Sequence, residues 1–189
     1  MIAFKNGKAG ILLLAVCLVA TLARAGTTSD DKSPRNDPSR SAAYLEREVG
    51  HQLRLLPFFT VFDNLEYRVD GYRVELMGEV TRPTLKSDAE NAVKNIEGVE
   101  SVTNNIKVLP VSPNDDAIRM AEYRAIYGHS DLNRYAMSAV PSIHIVVENG
   151  HVTLVGVTAN EMDKNIAGIQ AKGVPGVFSV TNNLRVEGK

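Results

Sequence analysis

The chain has 189 residues, with Lys+Arg 21 against Asp+Glu 22, a formal charge of −1, one cysteine and no tryptophan. At roughly 100–200 residues per domain this is one ordinary domain or two small ones, and a 44% hydrophobic fraction excludes wholesale disorder. The near-neutral balance argues against a nucleic-acid partner, and a single cysteine excludes a disulfide framework or a Cys-rich metal site.

Lys5 and Lys8 precede an uncharged run from Ile11 to Leu22, and Ala23-Arg24-Ala25 follows. This layout predicts a cleavable secretory signal peptide over 1–25, cut after Ala25, and a secreted product. As a helix the apolar run rises about 18 Å, short of a ~30 Å hydrocarbon core, so a spanning anchor is disfavoured. Cys17 lies within the run as a plain apolar position, because Val16 stands where a lipoprotein signal needs a small residue. Cleavage removes three basic residues and no acid, which leaves a net charge of −4. Residues 26–41 carry no large apolar side chain and read as a flexible tether.

Two blocks follow, 42–109 and 115–188, separated by a proline-broken linker at 110–114. They are internal repeats. Gly98-Val99-Glu100-Ser101-Val102-Thr103-Asn104-Asn105-Ile106-Lys107-Val108 returns 78 residues later as Gly176-Val177-Phe178-Ser179-Val180-Thr181-Asn182-Asn183-Leu184-Arg185-Val186. Val74-x-Leu76-x-Gly78 matches Val152-x-Leu154-x-Gly156 at the same offset. So long a period indicates duplicated small domains rather than a common solenoid.

In the first block Leu45, Val49, Leu53 and Leu56 predict a helix that Pro57 stops. Alternating Leu65, Tyr67 and Val69, then Asp70-Gly71, then Val74, Leu76 and Gly78 predict a β-hairpin. Leu85, Ala89, Ala92, Val93 and Ile96 return to helical spacing, Gly98 ends that helix, and 102–108 reads as a third strand. The second block repeats the order, with a helix near 115–127, strands at 143–147 and 152–157 about Asn149-Gly150, a helix near 160–172 and a strand at 178–186. Turn glycine to strand valine is one residue longer in the first hairpin, which reads as a bulge or longer loop. The fold class is therefore α+β: two tandem α-β-β-α-β domains, each a three-stranded mixed sheet with helices on one face.

Hydrophobic-x-Leu-x-Gly after a hairpin, then a helix, then Gly-Val-x-x-Val-x-Asn before a closing strand resembles the BON domain, named for bacterial osmotic-stress and nodulation proteins. The resemblance implies a non-enzymatic role in the cell envelope, binding phospholipid membrane or supporting the envelope under osmotic stress. In lipid-binding relatives the second domain's first helix meets the bilayer, which here is Asp116 to Tyr127. Independently of the family, Gly78 and Gly156 lie inside strand patterns, where glycine permits a bulge or the close approach of a packed helix. Gly98 and Gly176 stand at helix ends, where a left-handed residue is needed. The pairs beginning at Asn104 and Asn182 are placed to bond neighbouring backbone.

Nothing assembles into a catalytic set. His51, His129, His144 and His151 are scattered, with the strand histidines expected to be exposed, and no metal or cofactor is called for. No Gly-x-Ser-x-Gly, HExxH or phosphate-binding glycine loop occurs. The surface candidate is the 118–127 helix. Ile118, Ala121 and Ala125 mark one face, with Ile126 beside it. Met120, Tyr123 and Tyr127 form a second row, which with Arg119 and Arg124 would meet phospholipid. The competing expectation is that this row packs on the sheet or on the partner domain. The rival function is a protein-interaction or chaperone-like scaffold for envelope proteins, acting through a sheet edge or the inter-domain surface.

Overall fold

The computed structural model describes residues 38–138 and 140–188. The leader, Cys17 and all but the end of the expected tether lie outside these residues. Helix α1 spans Pro38–Arg54, so it begins inside the segment expected to be tether. It buries Leu45, Val49 and Leu53, as their spacing requires, and ends ahead of Pro57. Strands β1 (Asn64–Asp70) and β2 (Arg73–Val80) pair antiparallel. Helix α2 (Pro83–Lys94) opens on a proline and buries Leu85, Ala89 and Val93. The third strand is split: β3 (Ser101–Asn104) and β4 (Lys107–Val108) each pair in parallel with β2. The first sheet is thus four-stranded, with order β1-β2-β3 and β4 also on β2.

The second domain has α3 (Pro113–Tyr127), a 3-10 turn at Asn133–Met137, β5 (Ile143–Glu148), β6 (His151–Thr158), α4 (Glu161–Lys172) and β7 (Ser179–Val186). Its sheet order is β5-β6-β7, antiparallel then parallel. Ser112 caps α3 by accepting from the Asp115 amide at 3.2 Å, and Asn160 caps α4 by accepting from that of Asp163 at 2.9 Å. In both domains the helices lie on one face of a mixed sheet, so each unit is α+β as expected.

The repeat glycines correct two expectations. The first hairpin holds no bulge. Asp70 pairs with Arg73 and Glu148 with His151, so both loops are two residues long. Gly71 occupies the first loop position at φ +61°, whereas Asn149 and Gly150 both take positive φ, 52° and 77°. The first turn therefore has the II′ pattern and the second the I′ pattern. A shifted glycine, not an inserted residue, produces the extra spacing. Gly78 and Gly156 (φ +104° and +121°) face no helix. A Cβ on them would strike the carbonyl oxygens of Asn64 and Ser142 on the adjoining strand. Gly98 and Gly176 are left-handed as expected, but they sit in the turns after α2 and α4, which have already ended at Lys94 and Lys172.

The Asn pairs reach further than neighbouring backbone. Asn104 donates to the carbonyl of Lys86 in α2 and Asn182 to that of Lys164 in α4, at 3.0 and 2.8 Å. Their side-chain oxygens accept from the amides of Ile106 and Leu184. Each asparagine ties the last strand to its covering helix.

The two domains share one compact body. Asp63, fully buried, accepts from the amides of Thr60 and Thr81 at 3.0 and 2.7 Å and so fixes the loop before β1. That loop reaches the second domain: Val61 and Phe62 join its core, and the Ile145 amide donates to the Val61 carbonyl at 2.8 Å. Phe59 stacks on His144 with ring centroids 5.4 Å apart. Lys107 and Glu148 form an ion pair between the domains at 2.6 Å.

Candidate binding surfaces

Helix α3 turns a different side to the core than Ile118, Ala121 and Ala125 would define. The buried stripe is Asp115, Ile118, Arg119, Glu122 and Ile126, with Tyr127 beside it. Two of the five residues expected at a membrane are therefore inside. Arg119 (4% exposed) donates to the Val147 carbonyl at 2.6 Å and pairs with Asp116. Tyr127 donates its hydroxyl to the Ile143 carbonyl, and burial pushes its pKa well up. Tyr123 is half-buried between Phe62 of the first domain and Tyr127, at 6.3 and 4.9 Å. Met120 and Arg124 alone of the five face outward.

The inward pair has a common target. In an antiparallel hairpin with a two-residue loop, the residues flanking the loop bond each other and alternate residues point away from the partner strand. On β5 the outward residues are Ile143, Ile145 and Val147, an exposed edge unless something covers it. Tyr127 takes the first carbonyl, Val61 the middle amide and Arg119 the last carbonyl. Asp115 extends the cover by accepting from the Asn149 and Gly150 amides at 2.9 and 2.8 Å. The edge of β5 is closed by its own helix and by the loop of the first domain.

Glu122 is the group that sequence reasoning passed over. It is fully buried, its oxygens have no hydrogen-bond partner among the described residues, and burial pushes its pKa up to about 7. The signal was present in Ile118-Glu122-Ile126, which repeats the four-residue spacing of Leu45-Val49-Leu53.

What α3 leaves exposed joins α4, which packs beside it on the same sheet face. The outward side of this helix layer carries Met120 (43% exposed), Met162 (70%) and Ile169 (66%), with Arg124 and Lys172 also exposed. The histidines do not gather. His51 is exposed and His151 bonds Ser179 at 2.7 Å. His144 is not the exposed strand residue expected but lies against Phe59. Among the described residues no three His, Cys, Asp or Glu side chains form a group able to hold a metal, and no helix is long and apolar enough to cross a membrane.

A family-model match agrees with this architecture. The family model described as BON domain matches residues 42–110 and 129–188, the second match beginning just after α3. Solved structures of CdsD, a structural protein of the type III secretion system of Chlamydia trachomatis, and of its C-terminal domain are each 14% identical. Both alignments cover 75% of this chain, with 91% and 96% of the other chains, at a TM-score of 0.27. No curated protein matches. BON domains are non-catalytic binding modules, and the family supports an envelope-associated binding role in coarse terms. Carrying that domain twice, the chain belongs to the BON domain family.

Proposed function

We propose that the protein is a secreted, periplasmic module that binds phospholipid surfaces and supports envelope integrity under osmotic stress, with the helix layer of the second domain as its contact. The observation that carries this is the exposure of Met120, Met162 and Ile169 on α3 and α4, two helices that pack together and also expose the cations Arg124 and Lys172. Single exposed apolar residues are ordinary, but a group of them on one side with cations beside them suits an anionic lipid–water interface. The net charge of −4 expected after loss of the leader makes attraction local to this patch. Arg119 and Tyr127 support the contact from behind by holding α3 on β5.

Co-sedimentation of residues 26–189 with phosphatidylglycerol and phosphatidylcholine vesicles tests the proposal. The expected result is retention on the anionic vesicles, lost in Met120→Glu/Met162→Glu/Ile169→Glu and weakened in Arg124→Glu. Equal retention of wild type and the triple variant on both vesicles would remove the helix layer from the function. N-terminal sequencing of the protein recovered from periplasm checks the cut after Ala25.

A further inference from the structure

The two domains treat their edge strands differently. In β1 the hairpin register makes Asn64, Glu66, Arg68 and Asp70 the residues bonded to β2, which leaves the amides and carbonyls of Leu65, Tyr67 and Val69 pointing away from the sheet. These are the counterparts of Ile143, Ile145 and Val147, whose edge is closed. No backbone or side-chain bond reaches the outward groups of Leu65, Tyr67 or Val69 among the described residues. The residues of α1 that correspond to Arg119 and Tyr127 are Glu46 and Arg54, taking Leu45 and Ile118 as equivalent because each is the side chain that a Cβ on Gly98 or Gly176 would meet, at 3.7 Å in both. Neither side chain caps β1. Among the described residues the only side-chain bond between α1 and β1 runs from the Tyr67 hydroxyl to the Glu46 carbonyl at 2.8 Å, and it leaves the strand's backbone free.

This open edge lines a cleft of about 1010 Å³ between the domains, whose opposite wall is the outer face of the second sheet at Val155, Val157 and Arg185. The cleft is confined on both sides, so it suits a single extended chain rather than a folded partner. Its charge is directional. Three arginines, Arg54, Arg68 and Arg185, line it against two carboxylates, Glu46 and Glu66; Glu66 is held by Asn64 at 3.0 Å, and Arg68 is tied to Glu75 at 3.7 Å. Arg54 and Arg185, from opposite walls, take part in no ion pair among the described residues.

We propose that β1 accepts an extended peptide strand bearing carboxylates, which adds to the first sheet inside the inter-domain cleft. Main-chain bonds to Leu65, Tyr67 and Val69 would hold the strand, and Arg54 and Arg185 would select its acidic side chains. The site is separate from the helix layer, so it stands whether or not that layer meets lipid.

The test is a titration of the isotope-labelled full chain with N-acetylated octapeptides of alternating Glu and Val or Thr, with a Lys-for-Glu version and a version interrupted by proline. With the acidic peptide the amide exchange of Leu65, Tyr67 and Val69 slows at least tenfold. The lysine and proline peptides leave it unchanged. Arg54→Glu/Arg185→Glu weakens acidic-peptide binding by tenfold or more. Val69→Pro removes an outward amide without touching the ladder to β2 and abolishes the protection. If that variant does not fold, the charge-reversal pair decides. Unchanged exchange at all three amides under saturating acidic peptide overturns the proposal, as does equal protection by the lysine peptide.

Discussion

Glu122 stands in the second domain where Val49 stands in the first. Each lies four residues after the side chain that packs on the turn glycine, Ile118 on Gly176 and Leu45 on Gly98, and both are 0% exposed. One domain fills this position with a β-branched hydrocarbon, the other with an unpaired carboxyl. The folded pKa is about 7 against 4.5 for the free group, so the folded protein holds a proton that the unfolded chain has lost. Stability is full below pH 4.5 and declines as pH rises to about 7, by roughly 3 kcal/mol at 1.36 kcal/mol per unit. Urea titrations from pH 4.5 to 8 should show this decline with rising pH in wild type and not in Glu122→Gln. Glu122→Val should be more stable than wild type at pH 8. A wild-type slope unchanged in Glu122→Gln would refute the assignment.

Arg119 and Tyr127 bond the edge carbonyls of β5, and removing them should report on that edge. Arg119→Leu strands the buried Val147 carbonyl without its charged donor, at a cost of about 2 kcal/mol, and Tyr127→Phe costs about 1 kcal/mol. Amide exchange localises both effects: Val147 should exchange faster in the first variant, and the start of β5 should loosen in the second. Loss of vesicle binding by Arg119→Leu with unaltered stability would show instead that the guanidinium has an external role.

The glycines separate space from torsion. Gly71 has open surroundings and φ +61°, so Gly71→Ala costs about 1 kcal/mol for the left-handed torsion alone. Gly78→Ala and Gly156→Ala add a collision with a backbone carbonyl of the neighbouring strand, which cannot rotate away. The loss there is on the order of 4 kcal/mol. Thermal unfolding of the three variants should order them in this way. Equal loss at Gly71 and Gly78 would contradict the close-approach explanation.

Much of this architecture is legible in the sequence because it is written twice. The repeated Gly-Val-x-Ser-Val-Thr-Asn-Asn marks the domain count, and period-2 and period-4 apolar spacing marks strands and helices. The location of each hairpin is legible too, but its turn type is not, since one glycine position shifts between II′ and I′. The candidate surface is less readable. A helix row containing two arginines and two tyrosines looks solvent-facing, yet Arg119 and Tyr127 turn inward because β5 is an edge strand with carbonyls to satisfy. That demand exists only once the sheet order is known. The inter-domain cleft likewise depends on Phe59, Val61 and His144 meeting across 85 residues of chain.

His144 gives a second pH response, opposite in sign to that of Glu122. Burial beside Phe59 lowers its pKa below the ordinary 6.5, outweighing the carbonyls of Asp63 and Thr60 and the Asp63 charge, which favour the protonated ring. The unfolded chain therefore binds this proton more readily than the folded one. The neutral ring's contribution is complete above pH 6.5 and is lost as pH falls through the lowered folded value. His144→Phe keeps an aromatic ring against Phe59 and removes the proton site, so its stability should not fall across this acid window, where wild type loses the His144 contribution. Comparison in the Glu122→Gln background isolates the effect, because there the carboxyl no longer offsets it. Protection of the Ile145 amide, bonded to Val61 across the domain junction, taken relative to the intrinsic exchange rate at each pH, should fall toward acid in Glu122→Gln and hold steady in Glu122→Gln/His144→Phe. A loss of protection of equal size in both would place the acid-sensitive group outside the junction.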